Sequence, residues 1–162
     1  MVAVKIDGGK KLDEALKKIS AAVGKQASVD VGFQNGATEL DGTLVAAVAA
    51  FNEYGGNNRP PRPFFRQAIE KNAHKWPINL GTALKRTNFN AAASLGLVGL
   101  EIKSEIEQSI IELVSPPLAE STIARKSRGK VIKVRGAQGP SKPLIDTGTM
   151  LKSVTVKVNA GE

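Results

Sequence analysis

Three arginines, Arg59, Arg62 and Arg66, fall within one eight-residue stretch, close to four aromatic side chains, Phe51, Tyr54, Phe64 and Phe65. Guanidinium groups make forked, charge-assisted hydrogen bonds to carboxylates and phosphates. Such a cluster is either a charged rim over a packed junction or a subunit contact. Further on, Arg125, Lys126, Arg128, Lys130, Lys133, Arg135 and Lys142 occupy an eighteen-residue stretch that holds no acid. Between the two clusters, Glu101, Glu105, Glu107 and Glu112 stand against Lys103 alone. The chemistry on offer is ion pairing and phosphate binding.

Catalysis finds no comparable constellation. Gly8-Gly9-Lys10 lacks the spacing of a phosphate loop. His74, the one histidine, stands beside Trp76 and reads as a packing or helix-end residue. Asp146-Thr147-Gly148 matches the aspartic-protease triplet in residue type, but a helical turn follows it instead of an apolar strand. The absence of cysteine excludes disulfides, thiolate metal sites and a cysteine nucleophile. The glutamates at 101–112 follow the wet face of a helix. The expectation is a protein without enzymatic activity, metal or cofactor.

A chain of 162 residues makes one domain and can bury roughly 70% of its unfolded surface. No apolar run approaches the roughly 18 residues of a membrane span, and no signal-peptide core opens the chain. These features lead us to expect a soluble protein made in the cytoplasm. The net charge of +8 is unevenly held: residues 125–162 carry nine of the 23 basic residues against only Asp146 and Glu162. The surplus points to a local, partner-facing segment.

Periodicity sets out the elements that must position these groups. Residues 2–6 suggest a short strand. Leu12, Leu16 and Ile19 at helical spacing predict a helix from Asp7 or Gly9 to Val23, stopped by Gly24. Val29, Val31 and Phe33 alternate with Ser28, Asp30 and Gly32 as a half-buried strand. Thr43 is placed to cap a helix lined by Leu44, Ala47, Val48, Phe51 and Tyr54, which ends at Gly55. Pro60, Pro61 and Pro63 stiffen the crossing to the next helix, with Pro63 as its first residue. There Phe51, Tyr54, Phe64 and Phe65 are expected to clamp the two helices, with Arg62 and Arg66 one turn apart on the rim.

Pro77 should break or kink the chain after that helix, with a weaker helix over 78–90. Leu95, Val98, Ile102, Ile106, Ile110 and Leu113 then step by three or four along one helix from about Ala91 to Val114. Its far end is an acidic rod. Ser115-Pro116-Pro117 stops it, and a short helix should run from Ser115 to near Ala124. The basic stretch 125–142 reads as a long arm or β-ribbon within the single domain. It could be a solvated loop, a sequence-blind contact to DNA phosphates, or a strand added to a neighbouring subunit. A turn at Leu144–Gly148, a helical turn at Thr149–Lys152 and a strand through Val154, Val156 and Val158 complete the chain. The fold class is α+β: a small antiparallel or mixed sheet packed against several helices, one of them long, with an extended basic arm.

Three stretches together resemble a known family. They are Ala50-Phe-Asn-Glu-Tyr-Gly55 with Arg62-Pro-Phe-Phe-Arg66, then Ser115-Pro-Pro-Leu-Ala-Glu-Ser-Thr-Ile-Ala-Arg125, then Lys142-Pro-Leu-Ile-Asp-Thr-Gly-Thr-Met-Leu-Lys-Ser153. In this order they are similar to the head–tail joining, tail-completion or virion morphogenesis proteins of tailed bacteriophages. The resemblance spans roughly residues 43–158 and does not reach the first 40. It implies a non-enzymatic subunit of a ring of six or twelve copies in the virion neck, between capsid connector and tail. Partners would be further copies of itself, other neck, connector or tail proteins, and DNA passing through the lumen without sequence specificity. Subunit contacts are then expected at Arg59, Arg62 and Arg66 against Glu101, Glu105 and Glu112 of a neighbour. The arm would touch a neighbour or DNA. The alternative is a free basic DNA-binding protein acting in packaging or replication.

Overall fold

The computed structural model describes residues 9–23, 27–34, 36–56, 59–128 and 140–159. The strand expected at 2–6 and the centre of the basic stretch, with Lys130, Lys133 and Arg135, lie outside them. The described chain is α+β, with seven helices and a two-stranded antiparallel sheet. In order these are α1 (Gly9–Val23), β1 (Ser28–Phe33), α2 (Val45–Tyr54), α3 (Phe64–Asn72), α4 (Trp76–Arg86), α5 (Ala91–Glu112), α6 (Glu120–Arg128), α7 (Thr149–Lys152) and β2 (Val154–Asn159). No described helix is long and apolar enough to cross a membrane.

Helix α5 is the spine. At 22 residues it runs about 33 Å. Asn90 caps its start, its side-chain oxygen accepting from the Ala93 N–H at 3.0 Å. One flank lies on the sheet and others meet α3 and α4. Ile106 and Ile110 are fully buried in the core with Val45, Phe64, Met150 and Val154.

The register of the sheet explains why two strands suffice. Val29 pairs with Val158, Val31 with Val156, and Phe33 with Val154, so six apolar side chains share one face. Directly paired residues point the same way, so that face turns wholly toward α5. The other face is polar, where the Asn159 amide donates to Asp30 Oδ2 at 2.7 Å. A two-stranded ribbon is marginal by itself; the helix laid across it makes it stable.

That seating needs glycine. A Cβ on Gly99 would stand 2.6 Å from Val156 Cγ1 and 2.7 Å from Val29 Cγ2. Valine is stiff at χ1, so neither methyl can swing aside cheaply.

Some boundaries differ from the sequence reading. Leu44, not Thr43, is the N-cap of α2 and makes no side-chain cap bond; the Thr43 N–H instead donates to Asp41 Oδ1 at 3.0 Å. Pro63 caps α3 from outside, and Pro77 lies in the first turn of α4, where its missing N–H costs nothing. Helix α6 begins at Glu120 and continues to Arg128. Arg125, Lys126 and Arg128 therefore belong to a helix, not to an arm.

The acidic side of α5 makes contacts within the subunit. The Trp76 indole N–H donates to Glu105 at 2.8 Å and the Asn79 amide to Glu101 at 2.6 Å. Glu112 accepts from Gln108 at 2.7 Å and lies 3.7 Å from Lys71. The Gln108 amide and then the Lys71 charge hold the Glu112 carboxyl below its ordinary value. These glutamates bind α4 and α3 to the spine, which is why α5 carries acid on that side.

Gly99→Ala should lower unfolding stability by about 1–3 kcal/mol, because overpacking outweighs the helix-propensity gain of alanine. Gly96→Ala, whose Cβ would meet only Val158 Cγ2 at 3.7 Å, should be neutral or stabilising by up to about 1 kcal/mol. Urea unfolding of both variants checks the contrast; equal effects would refute the close seating.

Candidate functional site

The three sequence stretches that resemble the phage family converge on one cleft of about 880 Å³. Val48 and Asn52 of α2 form one wall, with Arg59, Pro60 and Arg62 from the crossing. Pro117, Leu118, Thr122 and Arg125 close a second side, and Pro143, Leu144, Asp146 and Met150 a third. Backbone placement begins at the crossing. Gly55 takes φ of 75° at the end of α2, and a Cβ there would collide with Arg59 O at 2.8 Å. The Arg62 N–H then donates to Asn52 O at 2.7 Å, so the proline-rich strand is tied to the last turn of α2.

Arg66 and Arg62 part company. Arg66 turns back onto α2: its Nε–H donates to Glu53 Oε1 at 2.8 Å, and its guanidinium carbon lies 5.2 Å from the centre of the Tyr54 ring. Arg62 goes the other way. Only 7% exposed, it donates from Nε to Pro116 O at 3.2 Å and from Nη2 to Pro117 O at 3.3 Å. They do not form a shared rim. The proline N-cap breaks the helical spacing that would have stacked them.

Glu53 decides this geometry, and the periodicity reading missed it. Buried at 5% exposure, its carboxylate accepts from the Phe65 N–H at 2.8 Å and the Arg66 N–H at 3.1 Å. Those are orphan donors in the first turn of α3, so Glu53 caps the following helix from the preceding one. The pattern Glu-x-Gly-Gly before a proline-rich helix start was the available signal.

The clamp is corrected accordingly. Phe64 is buried, with Phe33 and Phe65 edge-on to it at ring-centre separations of 6.2 Å each. Phe51 and Tyr54 keep 57% and 70% of their surface exposed. Helix α2 buries Val45, Ala49 and Glu53, so Leu44, Phe51 and Tyr54 form an uncovered stripe flanking the cleft.

Three of the basic residues beyond α5 bond within their own subunit. Arg125 Nη2 meets Asp146 Oδ2 at 3.0 Å, Lys126 donates to Lys142 O at 2.7 Å, and Lys142 donates to Ile111 O at 2.9 Å. Burial lowers the Lys126 ammonium below its ordinary value; Asp146 draws it back while Arg125 and Arg62 push it down further. Burial likewise lowers Arg62, and the charge of Arg59 adds to the effect.

No protein-family model, curated protein or solved structure matches this chain. Its chemistry must be read from the cleft itself. Among the described residues no group of three histidines or carboxylates could hold a metal ion. The cleft offers three arginines, the carboxylates of Glu39 and Asp146, aliphatic walls and, alongside, exposed aromatics. That is the composition of a contact surface.

Glu53→Gln should destabilise the fold by about 2–3 kcal/mol, since one amide oxygen cannot serve three donors in a buried place. Arg66→Ala should cost about 1 kcal/mol or less, because its side chain is largely exposed. Thermal unfolding of the two variants tests the order; a reversed order would show that the ion pair, not the cap, holds the junction.

Proposed function

We propose that this protein is a structural subunit of the tailed-bacteriophage neck, assembling with copies of itself into a ring of six or twelve that joins the capsid connector to the tail. The observation that carries this reading is the uncovered stripe of Leu44, Phe51 and Tyr54 beside an arginine-lined cleft. Aromatic side chains and arginine are the residues that dominate protein–protein contacts. An exposed apolar patch with a polar rim marks such a contact. The stretches that resemble the phage family are the ones that build this surface, which ties the resemblance to one place on the molecule.

We place the contact at Arg59 and the α2 stripe, because Arg125, Lys126, Lys142, Glu101, Glu105 and Glu112 already have partners within the subunit. With Arg125, Lys126 and Lys142 so engaged, support for a free DNA-binding protein weakens. The ring subunit acts by positioning, without catalysis or cofactor, and resides in the virion neck after synthesis in the host cytoplasm.

Native mass spectrometry of neck complexes isolated from particles should give six or twelve copies; one copy per particle would overturn the reading. Phe51→Asp should keep the far-UV circular dichroism and melting temperature of the wild type while its incorporation falls at least about tenfold, the effect of losing a contact hot spot. Full incorporation of that variant would remove the α2 stripe from the interface.

A further inference from the structure

Arg62 is the only buried arginine or lysine among the described residues, and no described carboxylate pairs with it. Its two hydrogen bonds go to neutral carbonyls, which satisfy donors without neutralising the charge. A guanidinium has five N–H donors in a fixed fork. The other three find no partner among the described residues, and the side chain lines the cleft. Arg59 lines the same wall, and its side chain has no partner among the described residues. Arg125 is offset by Asp146; Glu39 also lines the cleft, its carboxylate accepting from the neutral Thr147 hydroxyl at 2.9 Å, so three arginines face two acids and Arg62 has neither of them as an ion-pair partner.

We propose, resting on the ring reading, that this cleft is a receptor for an acidic side chain of a neighbouring copy, with Arg62 and Arg59 gripping an aspartate or glutamate flanked by aliphatic residues. A carboxylate matches the fork of a guanidinium and neutralises a charge that carbonyls cannot. Val48, Pro60, Leu118, Pro143, Leu144 and Met150 supply walls for the aliphatic flanks. A polynucleotide suits the site poorly. No aromatic side chain lines it for bases to stack on, and a duplex backbone cannot follow a guanidinium that is 7% exposed.

The test uses the ¹⁵N-labelled full chain, with the arginine Nε–H resonances as readout. The probes are acetyl-Leu-Asp-Leu-amide, acetyl-Leu-Asn-Leu-amide and inorganic phosphate. The aspartyl peptide should shift the Arg62 and Arg59 signals saturably, and the asparaginyl peptide should bind about tenfold or more weakly. Arg62→Lys, which keeps the charge and loses the fork, should erase the preference for the acid. Arg59→Gln, an exposed change that leaves the fold intact, should weaken the aspartyl peptide. Equal binding of the two peptides, or tighter binding of phosphate at the same resonances, would overturn the receptor.

Particles separate this from the ring itself. If Arg59→Gln and Arg62→Lys both incorporate as six or twelve copies at wild-type efficiency, the receptor falls and the ring stands. If the aspartyl peptide binds as expected but particles hold one copy, the ring falls and the acid cannot come from a neighbouring copy.

Discussion

The structure depends on a buried carboxylate placed where a helix begins. Glu53 closes the last turn of α2, and its oxygens take the first free N–H groups of α3. Removing a carboxylate from water costs several kcal/mol unless hydrogen bonds and charge compensate it. Here two backbone donors, the positive end of α3 and Arg66 do so together. The consequence is geometric as much as energetic. With α3 fixed against α2, Phe64 enters the core between Phe33 and Phe65, while the proline-rich crossing is drawn across the end of α2. Arg62 is then left facing the Pro116 and Pro117 carbonyls.

Much of the fold was legible because it follows a period. The spine α5 declares itself through apolar residues at three- and four-residue steps, and both strands alternate cleanly enough to fix which side meets the helix. Gly99 leaves the room in which valines of the sheet stand. Periodicity failed on α2 for a definite reason. That helix is rich in alanine and apolar around most of its circumference, so two stripes compete to face inward. A hydrophobicity count favours Leu44, Val48 and Phe51; the molecule buries Val45, Ala49 and Glu53. The deciding contribution is a polar contact to a helix that starts eleven residues later, which no local pattern contains.

The same limit applies to the charges. Counting bases without acids makes 125–142 look like a segment waiting for a partner; of its described charges, Arg125, Lys126 and Lys142 answer an aspartate and two backbone carbonyls brought near by the fold. Net charge along a chain reports the long-range field. Whether a given ammonium is spoken for is settled by carbonyl oxygens at helix ends and turns, and these carry no signature in composition.

Arg62 inverts that lesson. Spacing singled it out together with Arg59 and Arg66 among 23 basic residues, but gave no sign that it is buried. Its distinction lies in burial without a counter-ion. A folded chain can satisfy a guanidinium's donors with carbonyls and still leave its field unopposed, and Arg59 on the same wall makes that field stronger. Stability of the lone subunit would favour an acid here or an apolar residue of similar size. Glu39 and Asp146 line the same cleft, but neither pairs with Arg62. Under the proposed receptor a second body brings the paired negative charge, and the exposed stripe on α2 is the apolar ground on which it would settle.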